Sequence, residues 1–319
     1  MTAIAGAKFQ INPVVPWRDK SANVLQRLTQ FPALSRAGAA PQRAIRHPLW
    51  NRICECIVAG ETPIMSTSSI VEGATWPHTL EAARDEARLI QDSLLPGGTL
   101  RGDAFEVAFR FAPLGEVGGD FADFFSLPNG LVGMYMGDVV GKGLIAAMYA
   151  SLVMGTIRGI NKTGEDTAAV LGLLNKRLRV RPVPGRYSSM IYALFNPGSG
   201  ELTFSNAGVP LPLLVSSDGC RSLGEGGFPS GMFPDATYEI HTVQLAPGDA
   251  VLFATDGLHE MRNALNEDLS WGKLEEIWQQ CRCKSADECL DFLFDEVRAF
   301  SASSGSHDDM TAVVLKVPA

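Results

Sequence analysis

From about residue 100 onward the sequence predicts an α+β sandwich in preference to a parallel sheet with crossover helices. Two observations carry that expectation. Strand-like runs follow one another through short turn signals, as at Asn196-Pro197-Gly198-Ser199-Gly200 and Ser217-Asp218-Gly219. Helical segments come in pairs between those runs instead of alternating with them strand by strand. The chain has the apolar material for such a fold. Of its 319 residues 46% are hydrophobic and 19% charged, enough for one large domain plus an extension, or two small domains, and too apolar for a chain disordered as a whole.

Residues 1–75 read as a poorly defined N-terminal extension, with scattered Pro, Gly, Ala and Arg, helix-like pieces at 22–28 and 49–58, and a linker-like end at 66–73. A linker helix is expected over 76–97. Thr79 can cap it, Leu80, Ala83, Ala87, Ile90 and Leu94 recur at steps of three and four, and Leu95-Pro96-Gly97-Gly98 ends it. The narrow apolar seam and densely charged opposite face leave two readings open: packing on the following domain, or a dimer and signalling helix.

The remaining domain, 98–319, is read element by element. Phe105, Val107, Phe109 and Phe111 alternate with smaller or polar residues, as in a half-buried strand, and 131–136 is a continuous apolar strand. Segments 143–160 and 167–178 are helical. A hairpin is expected from 189–195 and 201–205, then strands at 211–215, 238–245 and 250–254, helices at 274–280 and 286–300, and a last strand at 311–317.

The net charge of −8, from 27 basic and 35 acidic residues, argues against nucleic acid as a partner, while leaving room for a local basic patch. No run of about 18 apolar residues predicts a membrane span, and Met1–Pro16 lacks the marks of a signal peptide, so a soluble, cytoplasmic protein is expected. Cys54, Cys56, Cys220, Cys281, Cys283 and Cys289 match no standard zinc spacing and read as reduced thiols.

The chemistry lies in carboxylates at the ends of apolar runs: Asp120 in Val-Gly-Gly-Asp, Asp138 in Met-Gly-Asp-Val, Asp256 in Ala-Thr-Asp-Gly and Asp308 in His-Asp-Asp-Met-Thr, with Asp309 beside it. A strand end fixes a side chain in space, and glycine clears room for an ion or substrate. Carboxylates gathered this way repel one another unless a cation sits between them, which points to a hard-metal site and phosphate chemistry. In Gly137-Asp138-Val139-Val140-Gly141-Lys142-Gly143 the glycines also leave the Val139 carbonyl open to an ion. Each motif alone has a plain alternative, since Asp-x-x-Gly makes turns and helix caps, Asp-Gly favours turns, and Asp308-Asp309 reads as a solvated loop. Their ordered recurrence favours function.

The chain resembles the stage II sporulation E-like branch of the metal-dependent protein phosphatases (the PPM superfamily), which includes regulators of sigma factors that act on anti-sigma factor antagonists. The resemblance runs from about Ala87 to Val317. It rests on Leu89-Ile90-Gln91-Asp92-Ser93-Leu94-Leu95-Pro96, Val117-Gly118-Gly119-Asp120-Phe121, Gly137-Asp138-Val139 with Gly141-Lys142-Gly143, and Ala207-Gly208. Leu245-Ala246-Pro247-Gly248-Asp249, Thr255-Asp256-Gly257-Leu258 with Glu260, and Asp308-Asp309-Met310-Thr311 complete it. It implies an α-β-β-α sandwich with two Mn²⁺ or Mg²⁺ ions at one edge. Asp138 would bridge the ions, the Val139 carbonyl would bind one of them, and Asp256 and Asp308 would hold the other. Asp120 would complete the cluster directly or through water, and Asp309 is the lesser candidate. The implied activity is hydrolysis of phosphoserine or phosphothreonine on a partner protein, an anti-sigma factor antagonist being one such partner, by a metal-activated water.

Two positions depart from the family pattern: Val140 stands where serine is usual and Val209 where histidine is usual. They keep alive the reading of a catalytically weak module of the same fold, used for partner binding. A small-molecule phosphatase would need a deep closed pocket. No arginine for the substrate phosphate is evident from alignment to the family pattern; Lys142 is a candidate electrostatic substitute, though it reads first as a surface lysine at a helix start. Gly-Gly-Asp-Phe does not indicate a diguanylate cyclase, because Glu-Phe does not follow and the later acidic motifs have no place in that fold.

Overall fold

The computed structural model describes residues 80–161, 166–301 and 308–319. The readings made for 1–75, the Thr79 cap, Cys54, Cys56 and His307 lie outside the described residues. Helix α1 spans Leu80–Leu94. Strands β1 (Leu100–Gly102), β2 (Phe105–Ala112), β3 (Phe121–Ser126) and β4 (Val132–Val139) follow, then helices α2 (Gly143–Ile160) and α3 (Thr167–Leu178). Strands β5 (Ser188–Asn196), β6 (Glu201–Ala207), β7 (Leu213–Ser216), β8 (Gly219–Ser222), β9 (His241–Gln244) and β10 (Ala250–Ala254) lead to α4 (Asp256–His259), α5 (Trp271–Gln279), α6 (Ala286–Ser301) and β11 (Met310–Lys316).

The strands form two antiparallel sheets, one ordered β1-β2-β11-β10-β7-β8 and the other β3-β4-β5-β6-β9. Alternate side chains of a strand point to opposite faces, so each sheet feeds two cores. Between the sheets, Val107, Val251, Phe253, Val313 and Leu315 meet Met134, Met136, Ile191, Ala193 and Phe204. Outside the six-stranded sheet, Leu252, Ala254, Ala312 and Val314 pack under Leu274 and Trp278 of α5 and Leu290, Leu293 and Val297 of α6. Outside the five-stranded sheet, Tyr135, Met190 and Tyr192 pack under Val153 and Ile157 of α2 and Leu171 and Leu174 of α3. The result is an α-β-β-α sandwich. Every residue of β11 is buried because both faces of that strand are covered, which explains the apolar run Ala312–Leu315 at its centre.

Three sequence expectations change. The strand expected over 238–245 shortens to β9, because Tyr238 turns into the core and its hydroxyl pairs with Ser230 Oγ at 3.1 Å. β3 was not anticipated from sequence, since its Phe121-Ala122-Asp123-Phe124-Phe125-Ser126 lacks a polar alternation. α2 is long and apolar enough, by length and composition alone, to cross a membrane, although no such run was expected. The cause is a helix apolar on two sides: its inner face lies in the core, and its outer face exposes Leu144, Ile145, Met148 and Leu152.

Candidate metal centre

The sandwich brings the predicted carboxylates to one edge. Asp120 immediately precedes β3, Asp138 is the penultimate residue of β4, Asp256 opens α4 just beyond β10, and Asp308 and Asp309 immediately precede β11. β3 and β4 pair with Phe121 opposite Gly137, so Asp120 and Asp138 fall side by side. β10 and β11 pair with Ala254 opposite Ala312, so Asp256 and Asp308 fall together at the end of the other sheet. Asp120 is 1% exposed, Asp138 half-buried and Asp256 open to solvent, so the acids run from the interior out to the surface.

Their charges interact. Burial, then the Asp256 and Asp308 carboxylates, push Asp138 up to about 7, against the opposing effect of hydrogen bonds from Asp120 and the Val139 backbone. Burial, then Asp138, hold Asp120 well above the ordinary carboxylate range, and the Thr255 hydroxyl, 2.8 Å from Asp120 Oδ2, offsets part of this. The Lys142 ammonium lies 2.7 Å from Asp308 Oδ2, so this lysine at the N-cap of α2 reaches the cluster and is not a plain surface residue. Among the described residues no three His, Cys, Asp or Glu side chains already close on one ion position. The donor set itself fits a hard divalent cation: it is all oxygen, anionic, and held at a protonation balance that a cation would tip toward the charged form.

The cluster is braced by backbone contacts. Asp309 spends both carboxylate oxygens on main-chain amides, Leu114 N–H to Oδ1 and Gly119 N–H to Oδ2, each 2.7 Å, and so holds the loop before Asp120. A Cβ at Gly119 would stand 2.9 Å from both Asp138 Oδ1 and the Val139 carbonyl, so only glycine lets this backbone approach the acid and the carbonyl so closely. Thr255 receives a hydrogen bond from Thr311 N–H at 3.0 Å while donating to Asp120, linking the two β10–β11 termini to the interior acid.

Sequence reasoning missed two braces. Gln91 is buried, its Nε2 donates to the Gly118 carbonyl at 2.8 Å, and its Oε1 accepts from Gly118 N–H at 3.1 Å. The inward face of α1 is therefore turned toward Gln91. Ile90, placed in the apolar seam by its spacing, is 60% exposed, because the paired Gln91 amide and Gly118 peptide fix the helix's rotation. The Arg186 guanidinium donates to the Val140 carbonyl, and Gly141, at φ +108°, leaves the space it occupies. No local motif marks either residue, although Gln91 lies within the quoted family stretch. The two departures from the family pattern sit in different places. Val209 is buried in the inter-sheet core, and Val140 continues the β4–β5 ladder by donating its N–H to the Tyr187 carbonyl at 3.2 Å.

Two outcomes follow from this geometry. Because Asp138 titrates near 7 folded and near 3.9 unfolded, the metal-free native state binds more protons in that window, so stability falls as pH rises through it. Metal-free Asp138→Asn should therefore melt above the parent at pH 8, with the gap much narrower at pH 5; thermal melts in chelator at the two pH values check this. Gln91→Ala strands a buried peptide beside the acid loop, and should weaken Mn²⁺ binding on the order of tenfold, read by titration calorimetry, with unchanged affinity counting against the brace.

The comparisons agree with this architecture. The family model described as stage II sporulation protein E (SpoIIE) matches residues 128–318. A phosphoserine phosphatase, RsbU of Bacillus subtilis, is 24% identical over 229 residues, covering 71% of this chain and 68% of that protein. The crystal structure of the RsbU and RsbW domains of a Mycobacterium tuberculosis protein superposes with a TM-score of 0.58 at 27% identity, over 68% of this chain and 60% of that one. The SiaA-PP2C domain of Pseudomonas aeruginosa gives a TM-score of 0.65 at 19% identity, over 74% of this chain and 95% of that one. With its model matched over more than half the chain, on a PP2C-type fold whose acids meet at one sandwich edge, the protein belongs to the stage II sporulation protein E (SpoIIE) family.

Proposed function

We propose that the protein is a metal-dependent protein phosphatase that hydrolyses phosphoserine or phosphothreonine on a partner protein in sigma-factor regulation. The observation that carries this reading is the meeting of Asp120, Asp138, Asp256 and Asp308, from four separate segments, at one edge of a phosphatase-family sandwich. Asp138, between the interior and surface acids, is the candidate bridge for two Mn²⁺ or Mg²⁺ ions, with the Val139 carbonyl beside it. Asp256 and Asp308 would hold the outer ion, and Asp120 would support the inner one. When bound, such ions supply a hydroxide near neutral pH and neutralise phosphoryl oxygens. The chain's own part is to hold the acids against their repulsion and to keep the edge open. Asp309 serves this reading as an anchor of the loop before Asp120 in preference to a ligand, because both of its oxygens are taken by amides.

The access to the site favours a protein substrate over a small molecule. The cavity beside Asp308, lined also by Lys142, Gly257 and Glu260, is a shallow space of about 160 Å³, far below the 300–1,000 Å³ usual for a pocket that encloses a small ligand. The partner proposed from the family resemblance is a phosphorylated anti-sigma factor antagonist, and the likeness to RsbU, a phosphoserine phosphatase, suits a phosphoserine substrate. Of the two departures behind the weak-module reading, Val209 fills inter-sheet core space, while Val140 directly follows the Val139 carbonyl. The free thiols of Cys220, Cys281, Cys283 and Cys289 suit a reducing, cytoplasmic setting.

Asp138→Asn should abolish Mn²⁺-dependent phosphate release from a phosphoserine peptide, a loss on the order of 10³-fold or more, while far-ultraviolet circular dichroism stays unchanged; a variant keeping most of its activity would refute the bridging role. Homodimerisation through α1 is the second part of the reading, supported by Leu89 and Ile90 at 69% and 60% exposure. Replacing both with Ser should halve the mass measured by light scattering, and an unchanged mass would remove α1 as the contact.

A further inference from the structure

We propose that the segment from Arg177 through Tyr187, at the end of α3 and before β5, forms with Phe228 and Phe233 a docking lip for the phosphorylated partner protein. The proposal rests on the phosphatase reading and adds where the substrate is gripped. Residues 176–187 hold five basic side chains, Lys176, Arg177, Arg179, Arg181 and Arg186, and no acidic one, in a chain of net charge −8. Beside these charges stand exposed apolar groups: Val180 at 76% exposure, Val183 at 44%, Phe228 at 60% and Phe233 at 45%. The two phenylalanine rings meet edge to face, with centroids 5.0 Å apart. Large apolar side chains clustered in solvent and flanked by arginine have the composition of a protein-recognition surface.

The lip is built rigidly and is continuous with the acid edge. Arg179 Nη1 donates to the carbonyls of Gly231 and Met232 at 3.2 and 3.0 Å. Asn175 donates to the Phe233 carbonyl at 2.9 Å and accepts from Gly231 N–H at 2.7 Å. Ser188 and Ser230 exchange both backbone hydrogen bonds. At its inner end, Arg186 donates to the Val140 carbonyl and Ser188 Oγ to the Asp138 carbonyl, so the lip grows out of the residues that carry the candidate bridge.

Charge complementarity selects the occupant. A phosphoserine segment brings a dianion to the edge, and arginines beside the entry suit acidic residues flanking it. A second copy of this chain docking symmetrically here would set the same basic segment against itself, which is repulsive. The lip therefore fits a phosphoprotein with acidic residues and an apolar side chain near its phosphorylated residue.

The test compares the full chain with the double variants R177E/R181E and F228S/F233S. Each is assayed with Mn²⁺ on p-nitrophenyl phosphate and on phosphoserine peptides with acidic or basic flanks. For the acidic peptide KM should rise on the order of tenfold in both variants, while kcat/KM for the aryl phosphate stays within about twofold of the parent. R177E/R181E should also reverse the preference between the two peptides. An unchanged KM overturns the proposal. So does an equal fall on both substrates, or a change of mass in either variant, which would make the lip a contact between copies of the chain. If the parent fails to hydrolyse even the aryl phosphate, the phosphatase reading itself fails. The lip is then judged by fluorescence anisotropy of labelled acidic phosphopeptide, where equal binding by parent and variants overturns it.

Discussion

Mutual repulsion among carboxylates is the constraint around which the rest of this structure is arranged. Asp120, Asp138, Asp256 and Asp308 stand close enough at a partly dehydrated edge for burial and neighbouring charge to hold Asp120 and Asp138 above the ordinary carboxylate range. A folded chain tolerates such a cluster only if its backbone is held by something stronger than the repulsion, or if a cation balances it. Both solutions are legible. The strand registers fix the acids' origins, and Lys142 already lends Asp308 a compensating charge.

The bracing is distributed over parts of the chain with no chemistry of their own. Gln91 grips the peptide of Gly118 from outside the sandwich, Asp309 holds the amides of Leu114 and Gly119 from the end of one sheet, and Thr255 ties Asp120 to β11. Arg186 does the same for the peptide after Val140. These contacts meet at one loop, Val117–Asp120, and one turn, Asp138–Gly143. α1 is tied to that loop by the Gln91 amide and, just before the loop, by the Arg84–Glu116 ion pair.

The division of labour between the two sheets follows from how the cores are built. The inter-sheet core consists of apolar residues from both sheets, so the relative position of β4 and β11 is set by packing and the acids at their ends inherit that position. The outer layers are less uniform. α2 leaves Leu144, Ile145, Met148 and Leu152 in solvent, and the loop after α3 is basic and apolar at once. An acidic edge and a basic, partly apolar loop thus adjoin, tied through Arg186 to the Val140 carbonyl and Ser188 to the Asp138 carbonyl.

The sequence by itself determined the sandwich class, the bounds of α2 and α3, the β5–β6 hairpin and the acidic positions, because each rests on local signals: periodicity, turn residues, and aspartate beside glycine at the end of an apolar run. Local signals could not give the rotation of α1, which depends on a glutamine meeting a peptide 27 residues away, or the role of Arg186, whose partner is a backbone carbonyl 46 residues distant. They also misplaced β9, since Tyr238 was drawn out of a strand-like run by a core position that tertiary packing created. Hydrophobic patterning is written along the chain, whereas a hydrogen bond between distant segments exists only once the sheets have been stacked.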